Sequence, residues 1–196
     1  MCVNFELAAD PVFHNEAFIF EGVNLWEKFK QNITTKDIRP TNSIIIIRKR
    51  KEEFLIEPAS WGIKFNENSP LIYNSRMETI KEKPFWKNTF NKNRGLLPMS
   101  GFFEWQKTGK SKIKKKVFLP DNNIFFVPAL FIEMNGTLFT SLVTVPPNEF
   151  IKPIHHRMPA IILKNNKEKL LNEDIDEAIN MCEPYKGEMS ITDAKP

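Results

Sequence analysis

The alternation of apolar and polar residues after Pro40 is that of β-strands. Residues 43–48 (SIIIIR) and 53–57 (EFLIE) are rich in β-branched and bulky apolar side chains, and a basic turn separates them. Two such runs joined by a short polar turn are typical of a hairpin. The same pattern predicts further strands over residues 101–106, 117–119, 124–131, 137–143 and 160–163.

Turn signals between these runs favour antiparallel connections. They fall at residues 108–109, 121–123 and 135–136. Asn135-Gly136 is the strongest of them, because both residue types tolerate the positive φ that a two-residue hairpin turn requires.

Helices are predicted at the margins of this strand-rich region. Residues 23–31 carry apolar side chains at helical spacing, and residues 84–93 begin with a proline suited to the first turn of a helix. Residues 165–171 and 174–181 are predicted to form one or two closing helices, and each stretch begins with an Asn or Asp suited to N-capping.

These elements predict an α+β fold in which the sheet dominates and the helices are peripheral. The sheet is expected to be mostly antiparallel, and the pattern leaves open whether it closes into a barrel. The 196 residues suit one β-rich domain, 1–196, because no internal repeat or Gly/Ser-rich linker divides the chain. Residues 183–196 are expected to form a loose tail.

Composition and charge narrow the classes of function. The sequence is 41% hydrophobic with 17 Phe, which supplies enough bulky apolar side chains for a packed core. No apolar run approaches the roughly 20 residues of a membrane span, and the start lacks the features of a signal peptide. We therefore expect no membrane partner and a cytoplasmic location. The net charge of +4 permits a polyanionic partner without requiring one.

The two cysteines, Cys2 and Cys182, do not form a metal-binding motif, so no metal site or cofactor is expected. Removal of Met1 would leave Cys2 with an α-amine and a thiol on neighbouring carbons. The α-amine has a reference pKa of about 8 and the thiol one of about 8.5, so both are partly available as nucleophiles at neutral pH. An aldehyde would be trapped first as a Schiff base and then as a five-membered thiazolidine.

The segment at residues 73–79 (YNSRMET) places an amide and a guanidinium close together. Asn74 can orient an amine or a thiol, and Arg76 can hold a phosphate oxygen in forked geometry. The same residues also fit a polar loop that caps a helix.

Two other motifs carry groups suited to acid–base chemistry. In GFFEW, Glu104 lies on the strand face opposite its aromatic neighbours, whose surroundings raise a carboxyl pKa toward the useful range. An outward-facing structural Glu fits the same pattern. His155 and His156 are adjacent between prolines, so on an extended segment only one of them can enter a given site.

Taken together, four segments resemble the SRAP family, the abasic-site processing and SOS response-associated peptidase domains. They are Cys2, YNSRMET, residues 94–105 (RGLLPMSGFFEW) and residues 154–163 (IHHRMPAIIL). Pro40-Thr41 and residues 61–63 (WGI) also fall, in order, where that family carries an Ala-Pro-Thr turn and a Trp-Gly segment. The resemblance spans nearly the whole chain.

This resemblance implies a single compact β-rich domain with a positively charged groove for single-stranded DNA containing abasic sites. We expect the domain to be a monomer. It implies that Cys2, after loss of Met1, forms a thiazolidine cross-link with the ring-opened sugar. Asn74 would hold the amino terminus, and Glu104 and His155 would move protons. DNA-binding roles are implied for Arg76, Arg94, Arg157 and Trp61, the last bordering displaced bases.

One departure from the family pattern lies beside the nucleophile. The family usually begins Met-Cys-Gly-Arg, whereas this chain has Val3 and Asn4. The change removes an arginine near Cys2, and the basic run at residues 107–116 is expected to compensate. Two other functions remain open from the residues alone: an N-terminal-nucleophile cysteine peptidase, and a non-enzymatic domain that binds single-stranded DNA.

Overall fold

The computed structural model describes residues 2–7, 17–28, 34–120 and 123–195. Within these ranges the chain forms thirteen β-strands and five α-helices. The strands are β1 (Phe5–Glu6), β2 (Ile19–Phe20), β3 (Val23–Asn24), β4 (Ser43–Arg50), β5 (Glu53–Trp61), β6 (Asn74–Arg76), β7 (Arg94–Met99), β8 (Gly101–Thr108), β9 (Ser111–Phe118), β10 (Phe125–Met134), β11 (Thr137–Val145), β12 (Met158–Pro159) and β13 (Ser190–Asp193). The helices are α1 (Leu25–Lys28), α2 (Met77–Glu82), α3 (Pro84–Lys92), α4 (Lys167–Asn172) and α5 (Ile175–Asn180).

Five strands close into a barrel, which the sequence pattern left open. Strand β10 pairs with both β7 and β11, and the order β10-β7-β4-β5-β11 returns to β10. The predicted hairpin is confirmed as β4 and β5, paired from Ser43↔Ser60 to Arg50↔Glu53. Most pairings are antiparallel, whereas β5 and β6 each run parallel to β11. The observed fold is therefore the β-rich α+β class that was predicted.

Consecutive residues are buried along β7, β10, β11 and the first half of β4, so both faces of these strands are covered there, which explains why residues 44–47 do not alternate. All four isoleucines there are at most 3% exposed. One strand face fills the barrel, while α4 packs outside β4 and β7, and α3 packs against β10. Gly95 allows β7 to approach β4, because a Cβ at this position would come within 2.6 Å of Ile46. The buried side chains form one continuous core.

A second, four-stranded sheet carries the amino terminus. Its order is β1-β8-β9-β13, with every pair antiparallel. The expectation of a loose tail from residue 183 is wrong for β13, because Ser190–Asp193 pairs with β9 and Lys115 forms an ion pair with Asp193. Both ends of the chain are thus anchored in one sheet.

Other local predictions were partly corrected. The expected strand at 160–163 is replaced by β12, and Ile162 makes only an isolated bridge to Phe126. The predicted helix at 23–31 is strand β3 followed by α1, and residues 29–31 lie outside the described part of the chain. The predicted turn at 121–123 falls mostly outside it as well.

The later helices follow the sequence signals more closely. Helix α3 begins at Pro84 as predicted, and Asp174 caps α5 by accepting hydrogen bonds from the N–H groups of Asp176 and Glu177. No helix in the described ranges is both long and apolar enough to cross a membrane.

Candidate active site

Pairing of the amino-terminal segment with β8 fixes the position of Cys2. The Phe103 N–H donates a 2.9 Å hydrogen bond to the Asn4 carbonyl, and Phe5 lies opposite Phe102 in the sheet register. The Cys2 side chain is wholly buried, and its Sγ donates to the Asn4 carbonyl at 3.6 Å. The candidate nucleophile therefore lies beside the start of β8, the strand that carries Glu104.

Asn74 reaches Cys2 from the barrel. Strand β6 runs parallel to β11, with Asn74 opposite Leu142. The Asn74 Nδ2 donates a 2.8 Å hydrogen bond to the Cys2 carbonyl. Its Oδ1 is buried and accepts no hydrogen bond from the described residues. This amide thus holds the Cys2 backbone and keeps one acceptor atom available.

Glu104 and His155 meet in the same site. Glu104 is 3% exposed, and its Oε2 lies 3.9 Å from the His155 Nε2. The Arg157 N–H donates to the His155 Nδ1 at 3.1 Å. The Arg157 carbonyl lies 3.2 Å from the same nitrogen, so Nδ1 accepts from the N–H in one tautomer of the ring and donates to the carbonyl in the other.

Burial sets the protonation states of these groups. It raises the pKa of Glu104 to about 7 and lowers the pKa of His155. Burial, reinforced by the nearby charge of Glu104, raises the pKa of the Cys2 thiol far above its ordinary value. Near neutral pH the thiol is therefore protonated, the imidazole is neutral, and Glu104 can either give or take a proton.

The fold thus brings the four predicted catalytic residues together, although they lie up to 153 positions apart. Asn74 bonds to Cys2, Glu104 lies near His155, and the Cys2 thiol is close enough to Glu104 to feel its charge. A cavity of about 570 Å³ bounded by Leu119, Ile124 and Tyr185 includes none of them. No cluster of three His, Cys, Asp or Glu side chains in the described ranges is arranged to hold a metal ion.

The residues expected to bind DNA differ in how exposed they are and in whether their side chains already have partners. Arg76 is exposed at the end of β6, two positions after Asn74. Arg157 is 7% exposed, and its guanidinium donates two hydrogen bonds to the Glu78 carboxylate, at 2.6 and 2.9 Å, and one to the Thr144 carbonyl at 2.6 Å. Contrary to the expectation of an open phosphate contact, Arg157 links the β6–α2 segment to the segment that carries His155.

Trp61 and Arg94 are also engaged inside the protein. Trp61 is wholly buried and its Nε1 donates to the Tyr73 carbonyl at 2.8 Å, so the expectation that it borders displaced bases does not fit this placement. Arg94 donates to the backbone carbonyls of Leu170, Asn91 and Glu173, which occupies its guanidinium at the end of α4.

Sequence reasoning missed a polar cluster next to Cys2. The side chain of Asn4 is buried and donates to Asp37, whose carboxylate also accepts from Arg39. The Lys114 Nζ lies 3.6 Å from the same carboxylate. Lys114 belongs to the basic run that was expected to compensate for the missing arginine, but nothing in the sequence around Asp37 marked it as a partner.

The fold and the site together define a class of protein. It is a β-barrel domain whose second residue is the candidate nucleophile, beside a buried carboxylate, a histidine and an asparagine. The sequence profile of the SRAP family, described as SOS response associated peptidase, matches residues 1–195. The chain therefore belongs to the SRAP family.

Several relatives share this similarity. The abasic site processing protein YoqW of Bacillus subtilis is 28% identical over 163 residues, which cover 76% of this chain and 73% of the relative. The abasic site processing protein YedK of Escherichia coli is 24% identical over 148 residues, covering 71% and 65% of the two chains.

Solved structures show the shared fold. A Bacteroides thetaiotaomicron protein superposes with a TM-score of 0.77 at 22% identity, over 99% of this chain and 92% of the other. A Bordetella bronchiseptica protein gives a TM-score of 0.82 at 14% identity over the full length of both chains.

Proposed function

We propose that this protein processes abasic sites in single-stranded DNA by forming a covalent thiazolidine through Cys2 once Met1 has been removed. The observation that carries the proposal is the contact set around Cys2: Asn74 holds its carbonyl at 2.8 Å, and the Glu104–His155 pair lies beside it. Family membership and the names of the relatives YoqW and YedK support the DNA lesion as substrate.

The first step is attack of the α-amine on the aldehyde of the ring-opened sugar. An unprotonated amine adds to the carbonyl carbon, and the resulting carbinolamine loses water to give a Schiff base. Loss of water needs a proton on the departing hydroxyl, which Glu104 can donate because its pKa is raised to about 7. The Oδ1 of Asn74 accepts no hydrogen bond from the described residues, so it can accept one from the amine and orient it.

The second step closes the ring. The Schiff base leaves the first step with its nitrogen protonated. The Cys2 sulfur then adds to its carbon, the C=N electron pair returns to the nitrogen, and the thiol proton passes to the Glu104 carboxylate left by the first step. A base beside the thiol is required because burial keeps the thiol protonated at neutral pH. One water is lost in the whole sequence, and Glu104 returns to its starting state.

Exposed aromatic side chains support a single-stranded substrate. Phe65, on the loop that leads into β6, contacts the rings of Phe85 and Trp86, and Phe65 and Phe85 are 45% and 54% exposed. Unpaired bases stack on such surfaces. Arg76, two positions after Asn74, is exposed and can contact a phosphate.

The decisive experiment is the intact mass of Met1-free protein incubated with single-stranded DNA that carries one abasic site. The expected product has the summed mass of both molecules minus one water and survives heating. Cys2→Ala should abolish the heat-stable product, and the matched control Cys182→Ala should retain it, because that buried thiol has no neighbouring amine.

The alternatives give different results in the same experiment. A peptidase would form no such product, but would hydrolyse peptide substrates in a Cys2-dependent manner. A simple binding domain would show salt-sensitive DNA binding that Cys2→Ala leaves unchanged, with no covalent product.

A further inference from the structure

One face of the β8–β9 hairpin combines an exposed tryptophan with lysines. Trp105 lies opposite Lys114 in the register, and Lys107 lies opposite Lys112. Residues directly opposite in an antiparallel pair share a face of the sheet. Lys114 Nζ lies 4.7 Å from the ring centre of Phe103, two positions before Trp105, which supports the same orientation.

The basic run on this hairpin divides into two groups. At the base of the hairpin, Lys114, Lys115 and Lys116 form ion pairs with Asp37, Asp193 and Glu6. Toward the tip, Lys107 and Lys112 are exposed and form no ion pair or hydrogen bond within the described ranges. Only the tip group has charge available for a partner.

Trp105 adds a stacking surface to the tip group. It is 41% exposed, whereas Trp61 is wholly buried. An indole with one open surface, next to cations that lack acidic partners, matches the two requirements for binding a single nucleic-acid strand: base stacking and phosphate neutralisation.

We propose that this hairpin face, defined by Trp105, Lys107 and Lys112, binds single-stranded DNA beyond the captured nucleotide. Trp105 stacks on a base, and Lys107 and Lys112 contact phosphates. The proposal rests on the proposed function in taking DNA as the substrate, but it assigns a binding surface outside the Cys2 site.

The hairpin face is connected to the Cys2 site through the edge of the sheet. Trp105 follows Glu104 directly on β8, and the two side chains lie on opposite faces of the strand. Strand β1 pairs with β8 at this edge, and Lys114 reaches Asp37, which accepts from Asn4. A DNA strand that passes from Cys2 around this edge of the sheet therefore reaches Trp105 first and the two lysines next.

The test measures non-covalent binding in a Cys2→Ala background, with a fluorescently labelled single-stranded oligothymidylate that has no abasic site. Trp105→Ala should weaken binding by about 5-fold or more, as expected for the loss of one base stack. Trp105→Phe should keep most of the affinity but reduce the DNA-induced quenching of tryptophan fluorescence. The double variant K107A/K112A should lower the slope of log affinity against log salt by about 1.4, since each phosphate contact contributes about 0.7.

A charge-matched control is available on the β4–β5 hairpin. R50A/K51A removes the same two charges from exposed positions of another turn and should change the affinity and the slope much less. Equal effects of the two double variants would show that net charge alone governs binding, and would overturn the hairpin face. Unchanged binding in both Trp105→Ala and K107A/K112A, with unchanged melting temperatures, would overturn it as well.

The outcome is separable from that of the proposed function. If Met1-free wild-type protein forms no covalent product on abasic DNA while the hairpin variants still lose affinity, the Cys2 chemistry fails and the binding face stands. If the covalent product forms and the hairpin variants bind normally, the reverse holds.

Discussion

Around Cys2 the fold brings polar side chains from distant segments together, whereas most of the basic residues considered for DNA binding are held by partners inside the protein. Asn74, Glu104 and His155 come from three distant segments and meet around Cys2. Of the three arginines expected to hold DNA, only Arg76 is exposed, whereas Arg94 and Arg157 are engaged by carbonyls and by Glu78.

The difference has a physical cause. A carboxylate, an imidazole and an amide that converge in a site are placed by the strands that carry them, so their positions follow from the fold. The availability of a cation depends on whether an acid or a carbonyl lies within reach after folding. Lys114, Lys115 and Lys116 show this, since their three acidic partners are at least 77 positions away in the sequence. A run of charges in sequence is therefore a poor measure of open positive surface.

Loss of the Glu104 carboxyl should have the largest effect among the variants that keep Cys2. Glu104→Gln should slow covalent product formation by about 10², because both the loss of water and the thiol proton transfer rely on this group. Quenched time courses on abasic single-stranded DNA measure the rate. Glu133→Gln, the same change at an exposed strand position, should leave the rate unchanged. A Glu104→Gln rate within a few-fold of wild type would remove Glu104 from the proton transfers.

The fold could be predicted where local signals are strong. The Asn135-Gly136 turn and the β4–β5 hairpin appear as expected. Strand β7 was not predicted, because it contains Pro98, which cannot donate a ladder hydrogen bond. Strand β13 was not predicted because most of its residues are exposed and its pairing depends on β9, which is distant in the sequence.

The site was predictable to the extent that its residues belong to motifs with characteristic chemistry. The pairing of Arg157 with Glu78 was not, because exposed and buried arginines look alike in sequence. Asn4 and Asp37 were missed for a related reason: their hydrogen bond forms only when β1 pairs with β8 and brings the segments around Ile38 and Phe5 together.

The buried carboxyl also predicts a pH dependence of stability. The pKa of Glu104 is raised in the folded state to about 7, from 4.5, so folding is penalised when the group must ionise. The penalty is absent below about pH 4.5, grows as the pH rises and is complete above about pH 7. Glu104→Gln should therefore gain stability relative to wild type between pH 5 and pH 8, on the order of 2 kcal/mol.

Chemical denaturation at several pH values tests this, with both proteins carrying the same amino terminus. A stability difference that stays constant over this pH range would show that the carboxyl is not forced to ionise in a buried environment.

The internal role of Arg157 predicts a loss of stability rather than of DNA affinity alone. Arg157→Ala removes hydrogen bonds to Glu78 and to the Thr144 carbonyl, and should lower the free energy of unfolding by about 2 kcal/mol. The value is below that of a fully buried pair because the Glu78 side chain is 47% exposed. Denaturant unfolding measures the change, and Arg76→Ala should stay within about 0.5 kcal/mol of wild type. An Arg157→Ala protein as stable as wild type would restore Arg157 as a DNA contact.

The smallest expected effects separate Arg76 from Arg94. Arg76 is exposed and forms no ion pair within the described ranges, so it can neutralise one phosphate. Arg76→Ala should therefore reduce the magnitude of the slope of log affinity against log salt by about 0.7 for single-stranded DNA. Arg94 already donates to three backbone carbonyls, so Arg94→Ala should leave that slope unchanged, although it can lower stability. Binding titrations at several salt concentrations, in a Cys2→Ala background and below the melting temperature of each variant, measure both slopes. A smaller slope for Arg94→Ala would mean that phosphates displace the carbonyls that hold Arg94, and an unchanged slope for Arg76→Ala would mean that the exposed guanidinium contacts no phosphate. Either result would show that the internal contacts of an arginine do not decide whether it binds DNA.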